Sequence, residues 1–534
     1  MNKIGFKNFR KFGDYTEIEY GNITYLVGRN NSGKSTVVKA LMLIYEYLKS
    51  GDIYNFSFAN NVLENVNIVT YERAKNIKSI GNDLIEFRHT FGIFEIQIVI
   101  SGKEGETVAQ VHQLSIKILD KGYEFRVEPQ LKNAMITVFD VGPNIDEEQQ
   151  DELIKNYERE IKRLKKEIND DNARNNLLEG LPIFNSSFLE LTELKNKLTR
   201  LKAAIKKNKS KPNININSHY EYPVNFKYIF NGLIHGKMNE YEKQFNDIQK
   251  AKIKGTNPEF VNLRVLKENL TEIEECGDLI EKYLINPTLN KYAYLPANSI
   301  KQSALLNIRD KLNTLAQAVH NYYQMKTMPG EREYMFVEEW MKKFEVGDAF
   351  RITLRAGEAY EVEITSNGVT TPLVDLGMGS IQAMMMIFTF AYFRNKYIIE
   401  YRGEEMERSG LSQRDVASRP VFLVIIEEPE INLHPALQSK LADFFYESGL
   451  DVLVETHSEY IIRRTQVIHA NDMRSAHYPD PIDYSVIYFP KNNLPYNMEY
   501  NDDGTFKKNF GEGFFDAASA STLELIRIRR EREN

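Results

Sequence analysis

A nine-residue run, Gly28-Arg29-Asn30-Asn31-Ser32-Gly33-Lys34-Ser35-Thr36, constrains the fold more than any other feature of this 534-residue chain. It fits G-x-x-x-x-G-K-[ST] and lies between a compact apolar stretch, Ile23 to Val27, and a segment, Lys34 to Leu48, that reads as a helix. Strand, glycine-rich turn and helix in that order call for a parallel sheet with helices packed on it. The glycines let the backbone wrap closely, so main-chain N–H groups point at phosphates, and the helix start adds a favourable dipole. In this reading Lys34 reaches the β- and γ-phosphates and Ser35 offers its hydroxyl to Mg2+.

Other stretches end in groups suited to the same chemistry. Val421 to Ile426 is apolar and runs into Glu427-Glu428-Pro429-Glu430, as a buried parallel strand ending at a site does. Two adjacent carboxylates there divide the work: Glu427 holds Mg2+, directly or through water, and Glu428 polarises an attacking water. Asp451-Val452-Leu453-Val454-Glu455-Thr456-His457-Ser458 is another short apolar strand ending in a histidine, and His457 at a strand's C-terminal end is placed to bond a γ-phosphate and the attacking water. Asp375-Leu376-Gly377-Met378-Gly379-Ser380-Ile381-Gln382 precedes an apolar helix, Ala383 to Phe393. Gly377, Gly379 and Ser380 at a helix start make another anion site. One chain needs only one phosphate grip, so the second suits a partner's nucleotide.

About the motifs, the chain divides into five stretches. Residues 1–142 hold the phosphate loop and alternating segments, Phe94 to Ile100 and Leu114 to Ile118, that read as a β-rich side layer. Residues 143–211 carry a 3,4-spaced apolar seam twice: Ile154, Tyr157, Ile161, Leu164, Ile168, then Leu191, Leu194, Leu198, Leu201, Ile205. Gly180 and Pro182 lie between, so an antiparallel helical hairpin is expected, each arm roughly 25 Å long at 1.5 Å per residue. Its second arm ends in a basic run, Lys195 to Lys211, with eight lysines and arginines and no acid. That run fits a nucleic-acid contact, or cross-arm pairing of Lys207 with Glu152 and Lys211 with Glu148. Residues 212–349 read as mixed and largely helical, with helices over Glu242 to Lys254, Leu266 to Tyr283 and Ser303 to Gln324. Strands return in 350–470, and 471–534 is a C-terminal extension with a helix from Ser519 to Arg529.

Composition closes off some classes. The formal charge of -7 confines any nucleic-acid contact to a local patch. One cysteine, Cys276, excludes an intrachain disulfide and a cysteine-cluster zinc site and reads as a small buried residue. No apolar run nears the ~18 residues of a membrane span, and the first residues carry no signal-peptide pattern. A cytoplasmic protein without a membrane partner is expected.

Together the motifs resemble the ABC-type ATPase heads of the SMC, RecF and OLD (overcoming lysogenization defect) group. Gly28 to Thr36 is similar to their Walker A, Glu427-Glu428-Pro429-Glu430 with Leu433-His434-Pro435 to their Walker B and D-loop, His457 to the switch histidine, and Gly377 to Gln382 to a degenerate signature motif. Gln97 is the candidate for the Q-loop glutamine. Glu427 stands where many members have Asp. The resemblance implies an α/β P-loop ATPase head assembled from N- and C-terminal segments, with a short antiparallel coiled-coil insertion. It also implies ATP and Mg2+ as cofactors, and a head-to-tail dimer in which 377–380 of one chain covers the nucleotide of the other.

The tail Gly511-Glu512-Gly513-Phe514-Phe515-Asp516 is similar to that of bacterial AAA-type ATPases, relatives of which serve anti-phage systems of the Septu and PARIS types beside a separate nuclease subunit. Phe514 and Phe515 either dock that partner or pack on their own head. A transporter subunit does not fit, because a helical excursion separates Lys34 from Glu428. An OLD-like nuclease in cis has no recognisable site in the 77 residues after His457. A repair or chromosome-maintenance clamp remains as the alternative to a defence switch.

Overall fold

The computed structural model describes residues 2–59, 68–79, 83–129, 134–140, 271–281, 291–297, 303–407, 422–472, 483–491, 493–501, 503–511 and 517–533, with isolated positions between them. The expected hairpin, its basic run beyond Lys195, and Phe514 and Phe515 lie outside the described residues, apart from six helical positions in 158–195.

Along the chain the first strands are β1 (Asn2–Lys7), β2 (Thr16–Tyr20) and β3 (Ile23–Gly28), followed by helix α1 (Lys34–Ser50). Then come β4 (Asn55–Ser57), α2 (Tyr71–Ala74), β5 (Ile85–Phe91), β6 (Phe94–Ser101), β7 (Val108–Ile118), β8 (Tyr123–Pro129), β9 (Ala134–Asp140) and β10 (Ser218–His219). All of these strands except β3 form one antiparallel side sheet, in the order β10-β9-β8-β7-β6-β5-β1-β2 with β4 on β7. The alternation that marks Phe94–Ser101 in sequence is visible as strictly alternating burial along β6.

The second half supplies β11 (Lys291–Leu295), β12 (Leu306–Asn307), α3 (Thr314–Gln324), α4 (Arg332–Lys343), β13 (Ala349–Arg355), β14 (Ala359–Ser366) and β15 (Val369–Pro372). After these come α5 (Met378–Glu407), β16 (Phe422–Glu427), α6 (Pro435–Ser448), β17 (Asp451–Glu455), α7 (Glu459–Asp472), β18 (Tyr484–Phe489), β19 (Tyr496–Asn497) and α8 (Ala517–Glu533). The central sheet runs β11-β16-β17-β3-β18-β19, parallel but for the last pair.

Successive residues of its strands face two separate cores. Leu26, Leu423, Ile425, Leu453 and Ile487 pack with α1 and the side sheet. Tyr25, Val27, Val424, Ile426, Val452 and Val454 pack with α3 to α6. A parallel sheet covered on both faces reads as continuous apolar runs, which is what β3, β16 and β17 are. Among the described residues no helix is long and apolar enough to cross a membrane.

Three expectations are corrected here. The sequence places the head's second part at 350–470, yet the central sheet takes β11 from the 212–349 stretch and β18 from the 471–534 stretch. The edge of β16 and the free side of β3 each needed a hydrogen-bonding neighbour. Ser303 to Gln324 is not one helix: Leu306–Asn307 pairs with β14, and Asn313 caps α3 by accepting the Ala316 N–H.

Candidate nucleotide site

The three central strands β16, β17 and β3 end together. Their register sets Glu427 beside Glu455, and Glu455 beside Leu26, two residues before Gly28. The Thr456 N–H donates to the Leu26 carbonyl and the Glu428 N–H to the Glu455 carbonyl, so the segments leaving the sheet stay stitched at the carboxyl edge. This edge is where open α/β sheets bind ligands.

The phosphate loop has a shape that only its glycines allow. Gly28 has φ 143° and Gly33 has φ 112°. A Cβ on Gly33 would come within 2.7 Å of the Phe12 ring, and one on Gly28 within 2.4 Å of the Phe489 carbonyl oxygen. Gly33 caps α1 without any side-chain hydrogen bond, and the first turn carries no acid. The positive end of a five-turn helix is thus left for an anion. Asn31 is left-handed as well, at φ 56°. Lys11 clamps the loop from outside, its ammonium 3.0 Å from the Ser32 carbonyl and 3.3 Å from that of Asn31.

Lys34 is buried and folded back on its own loop, donating to the carbonyls of Gly28 (3.1 Å) and Arg29 (3.0 Å). Burial lowers its pKa, and the carboxylates of Glu455, Glu428 and Glu430 pull in the opposite direction. Glu455 accepts the Ser35 hydroxyl at 3.1 Å and lies 3.8 Å from the Lys34 ammonium. Burial, then repulsion from Glu427, pushes the Glu455 carboxyl up to about 7. Sequence reasoning passed over Glu455, although it ends an apolar strand just as Glu427 does. Glu427 has partners of its own: its carboxylate takes hydrogen bonds from the Tyr294 hydroxyl of β11 and the Ala297 N–H, Lys39 of α1 lies near it, and burial raises its pKa.

Glu428 and His457 face each other, with 4.0 Å between Oε1 and Nε2. Glu428 has φ 49°, an uncommon conformation for a residue with a Cβ, held by its N–H bond to Glu455. Burial and the nearby Lys34 lower the His457 pKa, so its ring is neutral near pH 7. Glu430 is a structural acid: its Oε1 accepts the His457 N–H at 2.6 Å. Ser458 donates to Gln438, whose amide donates to the carbonyls of Leu433 and Glu430, and His434 caps α6 ahead of Pro435.

The second predicted phosphate grip adjoins this edge within the same chain. Gly377 precedes α5, is exposed, and has open space where a Cβ would stand. Gly379 lies against the Asn432 backbone, where a Cβ would be 2.5 Å from the carbonyl oxygen. Gln382 donates to the Pro429 carbonyl at 3.2 Å and accepts from Asn432 at 3.4 Å. Ser380 is partly exposed at the start of α5. Gln97 lies on the side sheet with its amide 2.6 Å from Glu86.

The residues fit a magnesium–nucleotide. The uncapped α1 start and the glycine-shaped loop form the cradle, the Ser32 hydroxyl and Glu455 Oε2 are buried with no hydrogen-bond partner, and Lys34 and Ser35 are held only by groups they can exchange for phosphate and metal.

A family model described as an AAA ATPase domain matches residues 1–462. Among solved structures the chain is similar to the Smc head domain with an extended coiled coil, bound to the C-terminal domain of ScpA, from Pyrococcus furiosus. The identity is 14%, with 99% of this chain and 100% of that chain covered, at TM-score 0.32. The Smc head domain with a coiled coil and joint from Pyrococcus yayanosii matches at 11% identity over 94% and 98%, TM-score 0.33. The SMC head domain from Thermotoga maritima matches at 9% over 91% and 93%, TM-score 0.30. No curated protein matches the chain.

Proposed function

The chain belongs to the AAA ATPase domain family, so ATP hydrolysis is its chemistry, and we propose that it works as an ATP-driven conformational switch, the sensor ATPase of a bacterial anti-phage complex whose effector is a separate nuclease. The observation that carries the switch is the single carboxyl edge on which the phosphate loop, the Glu428–His457 pair and the start of α5 converge. Support for the defence role comes from the resemblance of the motifs and of the 511–516 tail to ATPases of such systems, which is analogy.

The residues of the loop, Gly28 and Asn30 to Thr36, hold the phosphates, with Lys34 turning from its own loop carbonyls to the β- and γ-oxygens. When bound, Mg2+ neutralises phosphate charge and orients the γ-phosphoryl group. Ser35 contributes its hydroxyl to that ion, together with an acid from the strand ends. Glu428 accepts a proton from the attacking water, and neutral His457 steadies the same water or the γ-phosphate. Lys11 and Phe12 close the loop from outside and keep it shaped.

In this reading two chains close head to tail, with Gly377, Gly379 and Ser380 of one over the phosphates held by the other. Closure displaces the 143–211 insertion and the part of 212–349 that precedes β11, which together with the tail beyond β19 are the surfaces for the effector. A repair or chromosome-maintenance clamp would use the same head. The two separate on what the purified chain needs for cutting DNA or RNA. Cleavage that appears only when a co-encoded protein is added, in ATP and divalent metal, supports the switch. Cleavage by this chain alone that survives repurification sinks the claim of a separate effector.

A further inference from the structure

The strand ends offer the metal two acids, and the structure treats them differently. The Walker B carboxylate expected to hold the ion, Glu427, already takes hydrogen bonds from the Tyr294 hydroxyl and the Ala297 N–H, with Lys39 of α1 nearby. A glutamate is one methylene longer than the aspartate usual at this place, which lets its carboxylate reach the Tyr294 hydroxyl of β11. Its register neighbour Glu455 sits between Glu427 and the phosphate-loop strand. Glu455 accepts the Ser35 hydroxyl at 3.1 Å, and its second oxygen is buried without any hydrogen-bond partner in a side chain only 8% exposed. A buried, unpaired carboxylate oxygen costs free energy unless something fills it.

We propose that Glu455, rather than Glu427, is the protein carboxylate that joins the Ser35 hydroxyl in holding the divalent cation of the nucleotide. The inference rests on the ATPase reading of the same site. Without nucleotide, Glu455 occupies both loop ligands, binding Ser35 through Oε1 with the Lys34 ammonium 3.8 Å away. With nucleotide present, Lys34 would leave the Gly28 and Arg29 carbonyls for the phosphates, and the Ser35 hydroxyl would leave Glu455 for the ion. Glu455 is then left facing that ion with an oxygen already free. Glu427 keeps its Tyr294 and Ala297 bonds and acts from behind, fixing the end of β16 so that Glu428 leaves the strand in its left-handed turn. It is a positioning residue rather than a ligand.

The test uses the full chain and two readouts. Binding of a fluorescent ATP analogue in chelator reports the nucleotide cradle without metal, and electron paramagnetic resonance titration of Mn2+ into the ATP-loaded chain reports the ion directly. Glu455→Gln is expected to keep or tighten metal-free nucleotide binding while weakening Mn2+ by about tenfold or more, the scale on which losing a group of the metal's surroundings is felt. Glu427→Gln is expected to leave Mn2+ affinity close to the parent's. Glu455→Asp, which keeps the charge but shortens the reach, is expected to fall between parent and Glu455→Gln. An equal or larger Mn2+ loss in Glu427→Gln, or parental Mn2+ affinity in Glu455→Gln, would overturn the assignment. A parent chain that binds no nucleotide even in chelator would remove the nucleotide site itself, a failure distinguishable from the first because it shows before any metal is added.

Discussion

Replacing Glu428 by Gln tests the proposed general base with little structural disturbance. Gln has the same shape, and the left-handed backbone at this position is held by the Glu428 N–H on the Glu455 carbonyl, 2.7 Å away, which the substitution does not touch. The 4.0 Å between the Glu428 carboxylate and His457 Nε2 allows one water to hydrogen-bond both groups, since each such bond spans about 2.8 Å. An amide can still hydrogen-bond that water but cannot take its proton. General-base catalysis contributes about 10²- to 10⁴-fold, so turnover should fall by that factor, a barrier increase of about 3–5 kcal/mol. Binding should hold or tighten, because one negative charge leaves the neighbourhood of Lys34. Single-turnover phosphate release gives the first quantity and an ATP-analogue titration the second. Light scattering during size exclusion should then show ATP-trapped dimer accumulating. Parental hydrolysis in Glu428→Gln would refute the assignment. The other nearby acid of this turn, Glu430, accepts the His457 N–H, so Glu430→Ala, which removes that acceptor, should disturb the His457 loop and lower nucleotide binding together with rate.

Lys34→Ala removes a charge-assisted contact worth about 1.5–3 kcal/mol, so ATP affinity should drop by roughly ten- to hundredfold in the same titration; an unchanged affinity would mean that Lys34 stays on its loop carbonyls. The interface is best probed at Gly377, where a side chain meets open space, and not at Gly379, where any Cβ would strike the chain's own Asn432 carbonyl. Gly377→Trp should keep ATP binding and abolish the rise of hydrolysis per chain with protein concentration; a parental concentration dependence would argue against a shared site. Arg394 joins Glu333 of α4 at 3.0 Å to the carbonyls of Glu447 and Ser448 at the end of α6, and Glu333 is only 4% exposed. Arg394→Met should cost about 3 kcal/mol, the low end for breaking a buried pair because Arg332 still reaches Glu333, and urea unfolding followed by the lone, buried Trp340 measures it.

What could be read from the sequence was local. Gly28 to Thr36 announces its conformation because the glycine positions and the following helix lie within one short run, and Val421 to Ile426 announces burial because every residue is apolar. The missed elements depend on partners far away in the chain. Lys291-Tyr292-Ala293-Tyr294-Leu295 alternates weakly and becomes a strand of the central sheet only by lying along β16, more than a hundred residues later. Tyr484 to Phe489 is apolar enough to have been marked as a strand, but nothing local says that its neighbour is β3. The helix expected over Ser303 to Gln324 starts late because Asn307, Asp310 and Asn313 offer side-chain acceptors that favour turns, and Asn313 makes the cap. Glu455 was legible in part. Two apolar strands each ending in Glu, in a chain with one phosphate loop, place two acids at the same edge if the strands are neighbours, and adjacency is what sequence alone does not provide.

The contacts of Gln382 bear on how such a switch would keep its two sites in step. Residues 377–380, proposed to cover a partner's phosphates, begin the helix whose buried face, from Ile381 through Phe390, is packed into the core beneath β16. Two residues beyond Ser380, the Gln382 amide holds the Pro429 carbonyl and accepts from Asn432, while Gly379 rests on the Asn432 backbone without room for a Cβ. The turn so gripped is the one that carries Glu428, itself left-handed and tied to the end of β17. Close-packed groups transmit displacement instead of absorbing it. A small shift of the α5 start, if 377–380 closes on a partner's nucleotide as proposed, would therefore act on the backbone that carries this chain's own Glu428. In a head-to-tail pair each chain's grip on the other's ATP would set the geometry for hydrolysing its own, so neither site would reach full activity before both were filled.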